Sequence, residues 1–232
     1  SKLIRIDTRK WTFAVEEMVA YAGLGGRALT SRLVLNEVPA LCHPLGASNK
    51  LVAAAGVLTG TAAANSGRIS LGAKSPLTGG IKESNSGGLF SQKMAKLGIQ
   101  ALVFEDKPDE GAVPVVVVVT ADGVAIKEAP ELAGLGTYAA SEKLLAAYGS
   151  RAAVMLIGPA GETCRLAASV QFTDPKGRPA RAAGRGGLGA VMGRLDGKRA
   201  ALADGLALGG RFGRRGRLGR RRRGRRLRQN GL

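Results

Sequence analysis

The sequence predicts an α+β fold, on three observations. Short segments of strand character come in pairs, and a few helical periodicities interrupt them. Nowhere do strand and helix alternate strictly enough for a doubly wound parallel sheet. The interior is aliphatic: hydrophobic residues make up 45% of the chain but aromatics only 4%, against 35 glycines in 232 residues. Such a core packs Ala, Val and Leu close to the backbone.

Taken in order, "KLIRID" and "WTFAV" read as strands of an opening hairpin around a "TRK" turn. Residues 16–36 have helical spacing broken by Gly23-Leu24-Gly25-Gly26, which predicts two short helices joined by a glycine turn. "PALCHPLGASN" is a loop by its Pro, Gly and Ser content, and "KLVAAAGVLTGT" and "GRISLGAKS" are strand-like. "SPLTGGIKESNSGG" reads as a turn-rich loop. "LFSQKMAKLG" places Leu89, Phe90, Met94 and Leu97 on one helical face, stopped by Gly98. "QALVFED" and "PVVVVVTADGVAIKE" are strands, the latter a pair joined at Asp122-Gly123, a hairpin signal. "TYAASEKLLAAYG" is an amphipathic helix with Thr137 as its expected cap and Gly149 as its stop. "RAAVMLIG" and "RLAASVQF" are further strands, and the domain is expected to span residues 1–200.

The stretch "RAAGRGGLGAVMG", residues 181–193, carries G-x-G-x-x-G spacing at Gly184, Gly186 and Gly189. A dinucleotide site needs a buried strand immediately before those glycines and an acid about 20 residues on for the ribose. Here "TDPKGRPARAA" precedes them, and the acid at that distance is Asp204, in a segment of different composition. The nicotinamide reading is therefore set aside. A glycine-rich, arginine-bearing loop entering a short helix and able to hold an anionic group is the reading retained.

The formal charge of +18 is unevenly placed. Residues 201–232 hold eleven Arg and one Asp, hence +10, which leaves +8 for residues 1–200, a balance that suits phosphate-bearing ligands or an acidic surface without compelling nucleic acid. Cys42 and Cys164 are the only cysteines and His43 the only histidine, too few for an iron–sulfur cluster or a standard zinc site. The cysteines read as small core residues in a reducing compartment, and "CHPLG" as a turn. "SKLIRIDTRKW" lacks the apolar run of a secretory signal, and "AVPVVVVVTA" and "LVAAAGVLTG" are too short to span a bilayer, so a soluble, cytoplasmic protein without membrane contact is expected.

Residues 201–232 are almost wholly Arg, Gly, Leu and Ala, without lysine. Two readings stand: a disordered basic arm that binds nucleic acid or an acidic partner, or an altered reading frame in GC-rich DNA. Neither builds a packed core.

Four segments in this order and spacing carry a resemblance: "KLVAAAGVLTGTAAANSGRISLGAKSPLTGGIKESNSGG", "MAKLGIQALVFED", "IGPAGE" and "RAAGRGGLGAVMG". Together they resemble the N-terminal domain of the aldehyde ferredoxin oxidoreductases, the tungsten-pterin enzymes, over residues 1 to about 200. The resemblance implies two β-sheets with a few packed helices, forming a base on which a metal bis-pterin cofactor sits. It implies tungsten, with molybdenum as the alternative metal, and oxidation of an aldehyde to a carboxylic acid with electrons passing through an iron–sulfur cluster to ferredoxin.

Carried over by position, the resemblance implies pterin contacts from Arg68, from Asn85, Ser86, Gly87 and Gly88, and from Arg181, Ala182, Gly184 and Arg185. The main-chain carbonyls of Asn85 and Ala182 would hold a magnesium ion bridging the pterin phosphates, a hard cation suited to oxygen ligands. No catalytic residue is expected here. The family's cluster cysteines lie in later domains, so the cluster would come from a partner chain or further domain, and the chain alone would be an incomplete catalyst. Three functions follow as expectations: a cofactor-base domain, a nucleic-acid or acidic-partner binder acting through its tail, or a non-catalytic truncated relic.

Overall fold

The computed structural model describes residues 1–109, 111–194 and 199–202. Among these, twelve strands form two six-stranded sheets. The first half of the chain supplies β1 (Lys2–Asp7), β2 (Thr12–Glu17), α1 (Gly26–Glu37), β3 (Leu51–Ala55), β4 (Ile69–Lys74), β5 (Ile81–Ser86), α2 (Phe90–Lys96) and β6 (Ile99–Glu105). The second supplies β7 (Val115–Thr120), β8 (Gly123–Glu128), α3 (Thr137–Tyr148), β9 (Ala153–Leu156), a helical turn α4 (Pro159–Glu162), β10 (Val170–Phe172), β11 (Arg181–Ala183), α5 (Leu188–Gly193) and β12 (Arg199–Leu202).

The two halves share one topology. The first sheet runs β2-β1-β6-β3-β4-β5 and the second, read from its far edge, β8-β7-β12-β9-β10-β11. In each, the first strand of an opening hairpin lies parallel to the half's last strand, and every other neighbour is antiparallel. The sequence carries the same duplication. "AGLGGRALTSRLV" (22–34) answers "AGLGTYAASEKLL" (133–145), "GVLTGT" (56–61) answers "GPAGET" (158–163), and "SGGL" (86–89) answers "RGGL" (185–188).

Burial follows from the pleat. Alternate residues of each inner strand face opposite ways, so one set fills the space between the sheets and the other set meets a helix. Ile4, Ile6, Leu51, Leu71, Val117, Val119, Met155 and Phe172 lie between the sheets, joined by Phe90 and Met94 of α2 and Leu188, Val191 and Met192 of α5. On the outer faces, Leu29 and Leu33 of α1 cover Val52 and Val103, and Ala140 and Leu144 of α3 cover Val116 and Val154. Phe90 and Phe172 meet edge to face, centroids 5.6 Å apart at 65°, and fasten one half to the other. Burying a large apolar side chain of this kind stabilises by roughly 2–3 kcal/mol, and the ring pair adds about 0.5–1.5 kcal/mol.

One charged network braces the outer face of the first sheet. Arg5 donates to Glu37 (2.7 and 2.8 Å) and Glu16 (2.9 Å), and Lys50 donates to Glu37 and Glu105, both at 2.8 Å. Arg194, 2% exposed, donates to the carbonyls of Asp106 (2.9 Å) and Asn49 (2.5 Å). Burial draws its pKa down to about 10, so it stays charged at neutral pH.

Several local expectations are corrected. The segment read as a turn-rich loop contains β5, an edge strand that is polar from Lys82 onward. The two short helices of residues 16–36 are a three-residue 3-10 turn at Val19–Tyr21 and the twelve-residue α1. Thr137 is the first residue of α3 rather than its cap; Gly136 precedes it without a side-chain bond. Cys42 and Cys164 are partly exposed instead of buried in the core. The strand in "RLAASVQF" is confined to Val170–Phe172. Among the described residues no helix is long and apolar enough to cross a membrane. Of the basic segment, Ala201 and Leu202 end β12, and residues 203–232, with the expectation of a nucleic-acid-binding arm, lie outside the described residues.

Candidate functional site

One edge of each sheet is the penultimate strand of its half, β5 in the first and β11 in the second, and these two edges pack against each other. Both strands run into a Gly-Gly turn and then a short helix directed into the central layer. The structure therefore brings "NSGG" and "RAAGRGG" together from distant parts of the chain, at the seam between the sheets.

Backbone contacts close that seam. The Arg185 N–H donates to Ser84 Oγ at 3.1 Å, Ser75 Oγ donates to the Gly186 carbonyl at 2.8 Å, and the Leu89 N–H donates to the Thr173 carbonyl at 3.2 Å. Gly186 and Gly187 both have φ 69°, the left-handed region that an L side chain resists. A Cβ on Gly186 would collide with Lys82 Cγ, and one on Gly193 with the Gly161 carbonyl oxygen. Gly88, at φ 110°, would put a Cβ 2.7 Å from the Thr173 oxygen. These glycines let the chain approach itself. A Cβ on Gly87 would have no neighbour within 4 Å, and one on Gly184 only Ser169 at 3.5 Å, so open surface lies beside those two.

Along β5 and the glycine loop runs a groove of about 640 Å³ lined by Arg27, Ser31, Arg68, residues 81–85, Ala182, Gly184 and Arg185. Arg68 also lines a second groove of about 620 Å³, walled by residues 60–61, Asn65, Ser66, Gly67, Gly88 and Gln92. The Arg68 guanidinium donates through Nε to Asn85 Oδ1 at 2.9 Å, and Nη2 reaches the same oxygen. Lys96 lines the second groove as well, so the arginine is held at the divide between two cationic troughs, the second rich also in hydroxyl and amide groups.

Of the nine residues expected from the sequence, Arg68, Asn85, Ala182, Gly184 and Arg185 line the first groove and Gly88 the second. Ser86 is buried at the end of β5, Gly87 follows it, and Arg181 begins β11 exposed, its Cγ 3.7 Å from a Cβ built on Gly88. Asn85 and Ala182 sit on the two edge strands that meet at the seam. Sequence reasoning missed Arg27, Lys82 and Glu83. The last two stand beside "NSGG" and were hidden by reading β5 as loop, whereas Arg27 enters from α1 with no local signal. Among the described residues no three His, Cys, Asp or Glu side chains gather to hold a metal ion. The donor set, cationic side chains with exposed main chain, fits an anionic ligand, and any metal that brings its own ligands with it.

Comparison with known proteins is consistent with this arrangement. Residues 3–198 match the family described as aldehyde ferredoxin oxidoreductase, N-terminal domain. The chain is similar to tungsten-containing aldehyde ferredoxin oxidoreductases from Pyrococcus furiosus (37% identity over 196 residues) and Thermococcus kodakarensis (36% over 196 residues). Each alignment covers 83% of this chain and 31% of the relative, so the chain spans about a third of the length of those proteins. Its fold matches a chain of the active site complex BamBC of benzoyl coenzyme A reductase in complex with 1,5-dienoyl-CoA, with a TM-score of 0.79 and 27% identity, over 88% of this chain and 31% of that one.

Proposed function

The chain belongs to the aldehyde ferredoxin oxidoreductase family, and from that membership we propose that it is the base on which a tungsten bis-pterin cofactor is seated. The observation that carries the reading is the duplicated edge strand, Gly-Gly turn and helix, met at one seam: a ligand with two like halves faces two like backbone units. Arg68, Arg181 and Arg185 neutralise and orient the phosphates, Arg68 being steered by the Asn85 side chain. Ser86, Gly87, Gly88 and Gly184 supply main chain where a flat ring system approaches. The carbonyls of Asn85 and Ala182, on the two edge strands that meet at the seam, would hold a magnesium ion that supplies countercharge to the phosphates, hard oxygen suiting a hard cation.

When bound, the tungsten centre supplies the two-electron chemistry that takes an aldehyde to a carboxylic acid. The protein's part here is placement and charge. An iron–sulfur cluster, and the route to ferredoxin, belong to the further two thirds of the length that the relatives possess or to a partner that carries it.

Metal and pterin analysis of the native assembly containing this chain, with the masses of its components, tests the reading. One tungsten and two pterins per chain are expected, with no aldehyde oxidation by the isolated chain and an artificial electron acceptor. An assembly without pterin, or turnover by this chain alone, overturns it.

A further inference from the structure

Two cations in the groove were not anticipated, Lys82 on β5 and Arg27 on α1. Lys82 lies on β5 the same number of residues before its Gly-Gly pair as Arg181 lies before the pair in the second half. Its stem crosses directly over Gly186, where a Cβ would collide with Lys82 Cγ, so the glycine leaves the passage through which the lysine reaches the groove. Arg27 stands in the first turn of α1. That helix is seated against β4 because Gly72 leaves room for Thr30, a Cβ on Gly72 falling 2.5 Å from Thr30 Cβ. The Arg27 side chain is 74% exposed, its Nε 3.7 Å from Glu83 Oε2, while Glu83 accepts a 2.8 Å bond from Ser70 Oγ.

Among the described residues Glu83 is the one acid in the groove lining. A carboxylate beside an anion site is costly unless it serves to hold a cation in place; Ser70 fixes the Glu83 carboxylate, whose other oxygen lies 3.7 Å from Arg27 Nε as an ion pair. Arg27 and Lys82 therefore flank the edge of β5 with charge along the same trough as Arg68 and Arg185.

We propose that Arg27 and Lys82 are binding residues of the anionic groove, with Glu83 the positioning residue for Arg27, so that a phosphate-type ligand in the trough meets Arg27, Arg68, Lys82 and Arg185 together. This rests on the proposed cofactor-base reading and adds residues that the family resemblance did not supply.

The test is titration calorimetry of the full chain with inorganic pyrophosphate at low ionic strength. Lys82→Met, which keeps the stem over Gly186, is expected to weaken binding about fivefold to tenfold and Arg27→Ala about threefold to fivefold, with thermal unfolding unchanged. Glu83→Gln should tighten binding more in the Arg27→Ala background than in the wild type, since only there is it a bare repulsion. Lys10→Met, in the β1–β2 turn at the opposite edge of the first sheet, controls for net charge and should change nothing. If Lys82→Met and Arg27→Ala bind like wild type while Arg185→Ala is weakened, or if Lys10→Met weakens binding equally, the inference fails and the cofactor-base reading stands. If the wild type itself does not bind pyrophosphate, the inference fails, while the cofactor-base reading is decided by the pterin and tungsten content of the assembly.

Discussion

Ser75 and Gly186, 111 positions apart, are joined by a buried hydrogen bond: Ser75 Oγ donates to the Gly186 carbonyl at 2.8 Å. The same hydroxyl oxygen accepts the N–H groups of Leu77 and Thr78, each at 3.1 Å. One hydroxyl thus ties the turn after β4 to the glycine loop after β11. Ser75→Ala leaves the buried Gly186 carbonyl, and the partly buried N–H groups of Leu77 and Thr78, without that partner, so a loss of about 1–3 kcal/mol is expected in urea denaturation. Amide exchange at Gly186 and Gly187 should quicken. A change under about 0.5 kcal/mol would show the seam to be held elsewhere.

Gly193→Ala should be among the worst substitutions in the protein. The new Cβ would collide with the Gly161 carbonyl oxygen, and backbone cannot swing aside as a side chain does. A loss of at least about 3 kcal/mol, or insoluble protein, is expected. Gly80→Ala has nothing within 4 Å and should change stability by less than about 0.5 kcal/mol. Equal soluble yields and equal urea midpoints for the two would contradict the packing described.

How much of this was legible depends on how loudly each element repeats. The β7–β8 hairpin announces itself through a valine run and Asp122-Gly123, and α2 and α3 through apolar spacing that burial of Met94 and Leu144 bears out. Strand β5 was silent because an edge strand lining a polar groove has no need of apolar alternation; its regularity lies in the burial of Ser84 and Ser86. The duplication was readable in "AGLGG" and "AGLGT" but is diluted by the unlike strands between. For the site, both glycine turns could be found from sequence. The meeting of β5 with β11 could not, since it depends on two sheets closing face to face, and Arg27 enters only once α1 is seated on Gly72.

Arg181 distinguishes a phosphate ligand from surface charge. In the loaded assembly, Arg181→Ala should lose a charge-assisted bond of roughly 1.5–3 kcal/mol, about tenfold or more in cofactor affinity. Arg181→Lys should regain part of it, as a point charge lacks the two-pronged fork. Equal tungsten-to-protein ratios in all three proteins would remove Arg181 from the site.

Acid stability should hinge on Glu37. Burial pushes its carboxyl up, but bonds from Arg5, Lys50 and Tyr21 outweigh that and hold it at about 2, below an ordinary 4.5. A depressed folded pKa gives stability that is full above about 4.5 and drains away as pH falls towards about 2. Wild type should therefore exceed Glu37→Gln by on the order of 3 kcal/mol at pH 6, with most of the gap gone by about pH 2.5. A gap independent of pH would assign the effect to packing.

Strand β12 lies between β9 and β7, although it is the last of the described strands to leave the ribosome. Until Leu202 is free of the exit tunnel, the Val115–Thr120 strand has one side paired with β8 and the other bare, and β9 is likewise half-dressed. At about 5–20 residues per second, that interval lasts seconds after the valine run has been made. An unpaired strand of five valines is a sticky template in that window. The nascent chain is thus most exposed to misassociation late in synthesis, and slower elongation over residues 120–200 would lengthen the danger, making this half of the protein the one whose birth a chaperone has most reason to attend.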